Sequence, residues 1–176
     1  MHRLTLLLIL SSFFAIMSCQ SGSRQTQKYR KLEPNLVSEI EILQKGSWIV
    51  IADQAFPLHS RRGVRTLIVD QKAPEILNGV IKSLAKRENL SPIFHTTKEL
   101  TFVENDAAPG INYYRNKIDH LLQGHELRQY LSAHLSVLLS DNSKTAPVLV
   151  IKTKTDYPYS AIYIELEGPS SLPSAL

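Results

Sequence analysis

The chain has 176 residues with a single cysteine, and its formal net charge is +4. Hydrophobic residues make up 43% of it, which is enough for one packed core in a domain of about 130 residues. The basic residues are dispersed apart from short clusters at 28–31 and 61–62, so the charge pattern does not favour a nucleic-acid-binding protein. The single cysteine excludes an intramolecular disulfide.

Residues 1–19 have the pattern of a bacterial export signal. Arg3 precedes two apolar runs, at 4–10 and 13–17, which are followed by Ser18 and Cys19. This order is typical of a signal peptide, and the segment is too short for an ordinary membrane span. Its end, Ile16 to Cys19, resembles the lipobox of bacterial lipoproteins, in which the cysteine is acylated and becomes the new N-terminus.

Two outcomes of export remain open. Acylation of Cys19 would anchor the protein to the bacterial cell envelope, on the periplasmic or outer face, without spanning the membrane. Cleavage close to Cys19 without acylation would instead release a soluble periplasmic protein. We expect the lipid anchor. Residues 20–34 are polar and predict a flexible tether, residues 35–170 predict one domain, and 171–176 form a short tail.

The first half of the domain predicts alternating helices and strands. Apolar residues at 36, 40 and 43 have helical spacing over 35–43, with Gly46 as a stop signal. The apolar run from Trp48 to Ala52 predicts a strand buried on both faces of a sheet, and we expect 64–69 to be a second strand of this kind. Pro74 and an apolar face at 76, 80, 81 and 84 predict a helix over 73–87.

The second half predicts further strands and helices. Segments 90–94 and 100–103 have the apolar character of short strands, and 105–110 is a loop. Helical spacing interrupted at Gly124 predicts two helices within 111–139, and apolar runs at 147–152 and 161–166 predict two closing strands. These elements predict a single layered α/β/α domain with a mixed sheet.

A carboxylate directly follows the first buried strand. Asp53 comes after Ala52, and Phe56, Pro57 and His59 follow within a few positions. In open α/β sheets, ligands bind beyond the carboxyl ends of the strands. A carboxylate, an aromatic ring and an imidazole in one loop suit a sugar, which offers hydroxyls for hydrogen bonds and C–H faces for stacking. The alternative is that Asp53 only caps the turn through backbone groups.

The segment from Ile51 to Ser60 resembles the Asp-Ala-x-Phe-Pro-x-His-Ser segment of the L-fucose mutarotases, which are relatives of the D-ribose pyranases. Segments 148–153 and 157–164 resemble the family's closing pattern of an apolar strand, a Thr-Gly-Glu turn, a Tyr-x-Asn step and a last strand. Tyr114-Arg115-Asn116 is similar to an Arg-Tyr-Arg-Asn run of the fucose branch. The resemblance implies an α/β sandwich, ring-shaped homo-oligomers, and pockets near subunit contacts that bind a monosaccharide. It also implies interconversion of sugar anomers or ring forms without a cofactor.

This sequence keeps some of the family's functional residues and replaces others. The family's acid falls on Asp53, and the tyrosine of its closing turn falls on Tyr159. The histidine before the first strand aligns with Lys45, and the amide of the Tyr-x-Asn step aligns with Ala161. The Thr-Gly-Glu turn reads Thr153-Lys154-Thr155. Lysine replaces imidazole poorly, because efficient proton shuttles titrate near ambient pH.

Two histidines are candidates for the missing role. His59 matches the fucose-branch motif, and His134 lies near the position of a substrate-binding histidine of the ribose branch. An active enzyme would use His59 or His134 with Lys45 or Tyr159 as its proton-handling pair. The candidate substrate-binding residues are Asp53, Phe56, His59, His134 and Tyr159.

The other histidines do not predict a metal centre. We expect His95, His120 and His125 to be surface or loop residues, and the spacing of the last two is not that of a helical zinc pair. We therefore expect neither a metal nor another cofactor. Two functions remain open: a monosaccharide-binding isomerase of the mutarotase or pyranase type, or a non-catalytic sugar-binding or assembly module with the same fold.

Overall fold

The structure is a computed structural model, and it describes residues 33–57 and 62–169. The predicted signal peptide with Cys19, residues 20–32 of the predicted tether and the tail at 171–176 lie outside the described residues. Among the residues that are described, no helix is both long and apolar enough to cross a membrane.

The helices and strands alternate over most of the domain. The α-helices are α1 (Pro34–Glu41), α2 (Ala73–Leu84), α3 (Ile111–Leu122) and α4 (Ser132–Asn142), and a 3-10 helix spans Lys98–Phe102. The strands are β1 (Trp48–Ala52), β2 (Val64–Ile68), β3 (Ser91–Thr97), β4 (Glu126–Tyr130), β5 (Val148–Lys152) and β6 (Ile162–Glu167).

One mixed sheet organises the domain, with the strand order β2-β5-β1-β6-β3-β4. β5 pairs in parallel with β1 and β2, and β3 pairs in parallel with β4. β6 is antiparallel to both β1 and β3. The other five strands therefore run in one direction and end at the same edge, where β6 begins. We call this edge the carboxyl edge.

Helices cover both faces of the sheet. The larger core packs α1, α2 and α3 against one face, to which Ile49, Ile51 and Phe94 contribute. The smaller core packs Leu135 and Leu139 of α4 against the alternate residues of the same strands, among them Trp48 and Val50. Because β1 is apolar at every position and buried on both sides, it forms the centre of the domain. The predicted α/β/α class with a mixed sheet is confirmed.

Three local predictions are wrong, each for a structural reason. β2 is an edge strand that pairs with β5 alone, so it is not buried on both faces, and Ile68 is exposed. Segment 100–103 belongs mainly to the 3-10 helix, because three of its carbonyls accept hydrogen bonds from Arg115 rather than from a strand. Segment 111–139 contains β4 between its two helices; β4 is an exposed edge strand and lacks the apolar alternation that would predict it.

Candidate functional site

The carboxyl edge brings together the ends of several strands. Asp53 follows β1, the 3-10 helix follows β3, and α4 begins two residues after β4 ends. β1 and β5 are joined beyond their last paired residues, since Thr153 donates to the Ala52 carbonyl from both its backbone nitrogen and its hydroxyl, each at 2.9 Å. The edge is therefore a continuous surface built on paired backbone.

Asp53 is half-buried, and its side chain makes no hydrogen bond to any part of the chain that the structure describes. Only its backbone carbonyl acts in the turn, accepting from the Phe56 nitrogen at 3.3 Å. The alternative that the carboxylate caps the turn is thus wrong. Its charge instead acts on two buried tyrosines. The pKa of Tyr163 is raised to about 12, chiefly by burial and further by the charges of Asp53 and Glu99. Burial and Asp53 also raise the pKa of Tyr114, against the effect of its hydrogen bond.

The turn at 53–57 is held by β5. The Lys152 ammonium donates to the Phe56 carbonyl at 2.7 Å, and Gln54 donates its backbone N–H to the Thr155 carbonyl at 2.8 Å. The Phe56 ring meets Tyr163 edge to face, with centroids 6.4 Å apart. Lys152 on β5 thus anchors the backbone of Phe56, three residues after Asp53 in the same turn.

The altered closing turn has a structural role. Thr155 donates its backbone N–H to the Thr153 hydroxyl at 3.2 Å, and its own hydroxyl accepts from the Ala73 nitrogen at 2.8 Å. Both threonines are buried. The segment that aligns with Thr-Gly-Glu therefore joins the end of β5 to the beginning of α2.

Tyr159 lies in the connection between β5 and β6. Its φ angle is +57°, in the left-handed region that non-glycine residues rarely occupy. Thr97 donates to the Tyr159 carbonyl at 2.7 Å, and the buried Tyr114 hydroxyl donates to the neighbouring Ser160 carbonyl at 2.7 Å. The backbone is thus anchored on both sides, while 47% of Tyr159 stays exposed. This geometry suits a residue that presents its side chain at the edge.

His134 is in the first turn of α4, at the carboxyl edge. Its ring packs on Tyr130, with centroids 5.0 Å apart, and the residue is exposed. Leu131 at the N-cap has no side-chain acceptor, so Glu99 takes this role from the 3-10 helix. Both of its carboxylate oxygens accept from the Ser132 nitrogen, at 2.9 and 3.0 Å, and one accepts from the Ser132 hydroxyl at 2.8 Å.

The prediction that His95 is a surface or loop residue is wrong. It lies in β3, is 2% exposed, and stacks between Trp48 and Tyr130 at centroid distances of 5.2 and 5.7 Å. Burial, with a smaller effect from Arg128, lowers its pKa to about 4. Its Nε2 is 3.3 Å from Glu165, and its buried Nδ1 has no partner in the described chain. The neutral ring is part of an aromatic row that ends at His134.

Lys45 lies before β1, whereas Asp53 lies after it, so the two residues are at opposite edges of the sheet. The Lys45 side chain is 70% exposed and pairs with Glu167 at 3.8 Å, near the end of the antiparallel β6. Within one chain, therefore, the structure does not bring Lys45 together with Asp53, Tyr159 and His134.

The remaining histidines differ in what the structure describes of them. His59 lies outside the described residues, in the gap that follows Pro57. His120 and His125 are exposed, as expected. Within 33–57 and 62–169, no three metal-ligating side chains are grouped in a way that could hold an ion.

Two residues at this edge were missed by the sequence reasoning. In the sequence, Tyr163 stands out only as part of an apolar closing strand, and Glu99 has no local pattern that predicts its contact with Ser132, 33 residues away. Tyr163 could have been predicted from its spacing from Ala161, because two residues that are two positions apart on a strand lie on the same face of the sheet.

Comparison with known proteins gives similarity at the level of the fold. No protein-family model matches the sequence, and no curated protein does so either. RbsD of Bacillus subtilis, solved with D-ribose, matches with a TM-score of 0.52 and 18% identity over 80% of this chain and 96% of its own. The fucose mutarotase of Streptococcus pneumoniae, solved with L-fucose, matches with a TM-score of 0.52 and 19% identity over 81% of this chain and 97% of its own. FucU of Bifidobacterium longum matches with a TM-score of 0.51 and 17% identity over 77% of this chain and 94% of its own. The chain therefore has the α/β fold of RbsD and the fucose mutarotases.

Proposed function

We propose that this protein binds a monosaccharide at the carboxyl edge. The observation that carries the proposal is the half-buried Asp53 carboxylate, which no group in the described chain satisfies, in the same turn as the ring of Phe56. A carboxylate of this kind needs hydroxyl donors, and an adjacent ring suits the C–H face of a pyranose. That RbsD and a fucose mutarotase of the same fold were solved with D-ribose and L-fucose supports a sugar as the ligand.

The chemistry that we propose for an active protein is cofactor-free ring opening. A base takes the proton of the anomeric hydroxyl, an acid protonates the ring oxygen, and the bond between C1 and that oxygen breaks; reclosure gives the other anomer. His134 or His59 would exchange the first proton, since an imidazole can act as a general base and as a general acid. Tyr159, exposed at the same edge, would serve the ring oxygen.

We further propose that the pocket is completed by a second copy of the chain in a ring-shaped homo-oligomer. Lys45 is at the opposite edge of the sheet from Asp53, so it can contribute only to a pocket formed with another copy. Sedimentation of the purified domain would test the assembly. A K45A variant would test the contribution: weaker sugar binding in an intact oligomer supports it, and unchanged affinity rejects it.

The second candidate function is a sugar-binding or assembly module without catalysis. Its support is the methyl group of Ala161 and the ion-paired, exposed Lys45 at positions where the family has an amide and an imidazole. Both candidates predict sugar binding, and they differ only in turnover.

One pair of NMR measurements separates the candidates. Titration with D-ribose, L-fucose, galactose and glucose measures binding, and saturation transfer between their anomers measures turnover. Exchange above the buffer rate identifies an isomerase. Binding with exchange at the buffer rate for all four sugars identifies the module. A protein that binds none of them at millimolar concentration contradicts the proposal.

Asp53→Asn tests the site itself. Hydrogen bonds to a charged acceptor contribute about 1.5–3 kcal/mol, so we expect this variant to bind sugar at least tenfold more weakly. Asp119→Asn, which changes an exposed carboxylate on α3, is the matched control and should bind like the wild type. Equal affinity of the Asp53 variant and the wild type would place the sugar elsewhere.

We also propose that the mature protein is held on the bacterial cell envelope by a lipid at Cys19. Metabolic labelling with a fatty acid in bacterial cells should mark the wild type and leave C19S unlabelled and released from the membrane fraction. Equal labelling of the two proteins would contradict the anchor.

A further inference from the structure

Ala161 and Tyr163 share one face of the closing strand. They are two residues apart, and both pack in the smaller core with Trp48 and Val50. Tyr163 of β6 pairs with Val50 of β1, and Ile162 pairs with Ile51. Ala161 therefore lies next to the end of β1, where Asp53 begins the turn. The resemblance to the sugar mutarotases implies an amide at position 161, and this chain carries only a methyl group there.

The Tyr163 ring contacts the turn that follows β1. It meets Phe56, which lies beyond the end of β1, edge to face at 6.4 Å. A strand rises about 3.3 Å per residue, so positions 161 and 163 are about 6.6 Å apart along β6. A tyrosine side chain spans a similar length. Its hydroxyl can therefore reach the space beside Ala161 that an amide would occupy.

The Tyr163 hydroxyl has no hydrogen-bond partner in the described residues. The residue is only 4% exposed. Within the described ranges, Gln71 Oε1 and His95 Nδ1 are side-chain atoms that are fully buried without a partner, whereas the Tyr163 hydroxyl is not among such atoms. The ring is thus buried, while its hydroxyl keeps some contact with solvent. A polar group held in this way by a packed ring is pre-organised for a ligand.

We propose that the Tyr163 hydroxyl donates a hydrogen bond to the bound sugar, in place of the amide that Ala161 lacks. This inference rests on the proposed sugar-binding function and names a further residue of the same site. Burial and the nearby carboxylates of Asp53 and Glu99 keep the hydroxyl protonated, because they raise its pKa to about 12. Tyr163 therefore acts as a donor and not as a base.

Tyr163→Phe tests the proposal with the smallest possible change. A neutral hydrogen bond contributes enough for about a three- to tenfold change in affinity, so Kd for D-ribose or L-fucose should rise by that factor. The thermal midpoint should not fall, since the hydroxyl has no hydrogen bond to lose within residues 33–57 and 62–169. Y113F removes a hydroxyl from the exposed face of α3 and is the matched control.

Adding A161N to Y163F tests the replacement directly. An amide at 161 should recover most of the lost affinity if the hydroxyl stands in for it, and no recovery would contradict that role. In the wild type, the 13Cζ resonance of Tyr163 should shift when the sugar is added, a measurement that does not depend on how a variant folds.

The outcomes separate this inference from the proposed function. A wild type that binds D-ribose or L-fucose, with Y163F within twofold of it and no shift at 13Cζ, overturns the role of Tyr163 and leaves sugar binding intact. A wild type that binds neither sugar, whatever the variants do, overturns the proposed function and the role of Tyr163 with it.

Discussion

Glu99 should decide whether the first turn of α4, and with it His134, is held at the carboxyl edge. The N-cap residue Leu131 offers no acceptor, and the carboxylate from the 3-10 helix satisfies the Ser132 nitrogen and hydroxyl instead. The negative charge also lies at the positive end of the helix dipole. Glu99→Ala removes this external cap without changing any residue of α4.

The expected cost follows from the bonds that are lost. Removal of a side-chain cap costs about 0.5–2 kcal/mol, and the hydrogen bonds here are charge-assisted, which favours the upper half of that range. A domain of about 130 residues has an unfolding entropy of about 0.27 kcal/mol/K, so a loss of about 1–2 kcal/mol lowers the thermal midpoint by about 4–7 °C. E99Q keeps one acceptor oxygen and should fall between E99A and the wild type.

Thermal unfolding followed by circular dichroism measures this cost, with E104A as the control for loss of an exposed carboxylate near the 3-10 helix. Relaxation of labelled histidine rings at a temperature where the domain is folded measures the local effect. His134 should become more mobile in E99A, while the buried His95 should not change. An E99A protein with the wild-type midpoint and an unchanged His134 would refute the external cap.

Two further predictions concern the pH dependence of stability at His95 and the anchoring of the 53–57 turn by Lys152. Because the pKa of His95 is about 4 in the folded protein and its ordinary value is 6.5, the unfolded chain binds a proton first, and stability should fall as the pH drops from 6.5 toward 4. The slope is at most about 1.4 kcal/mol per pH unit. Urea unfolding of H95F, which keeps the ring stack, should lose most of this slope, and an equal slope in both proteins would assign it to other groups. Lys152→Met removes the donor to the Phe56 carbonyl. Because a charge-assisted hydrogen bond is lost, amide hydrogen exchange in the 53–57 turn should become about tenfold faster. The control is Lys154→Met, which changes an ion-paired lysine. Unchanged exchange would show that the turn does not depend on Lys152.

The elements that local pattern predicts well are those with long apolar runs. β1, β5 and β6 carry such runs, and their burial is nearly complete. The two elements that were missed lack this signal. β4 has exposed residues at four of its five positions, and the 3-10 helix is stabilised by Arg115, a residue distant in sequence. The periodic spacing of apolar residues indicates that one face of an element is buried. An element that is held by edge pairing or by side-chain contacts therefore has no such periodic pattern in its sequence.

The candidate site divides in the same way. Asp53 and Phe56 can be identified from the sequence because the end of a buried apolar strand predicts where a ligand-binding turn begins. Three features depend on strands and helices far apart in the chain: the lack of a partner for the Asp53 carboxylate among the described residues, the cap from Glu99 and the contact of Tyr163 with Phe56. The placement of Lys45 at the opposite edge follows from the length and direction of β1.

The amino-acid sequence by itself determined the α/β class, the central buried strand and the turn that ends it in a carboxylate, because each depends on neighbours within a few positions. Only the tertiary structure decided which groups share the carboxyl edge: His134 lies at the same edge as Asp53, the ring of Tyr163 contacts Phe56, and Lys45 lies at the opposite edge. The reason is that strand order and direction set these distances, and backbone pairing between residues as far apart as Trp48 and Val148 sets the strand order.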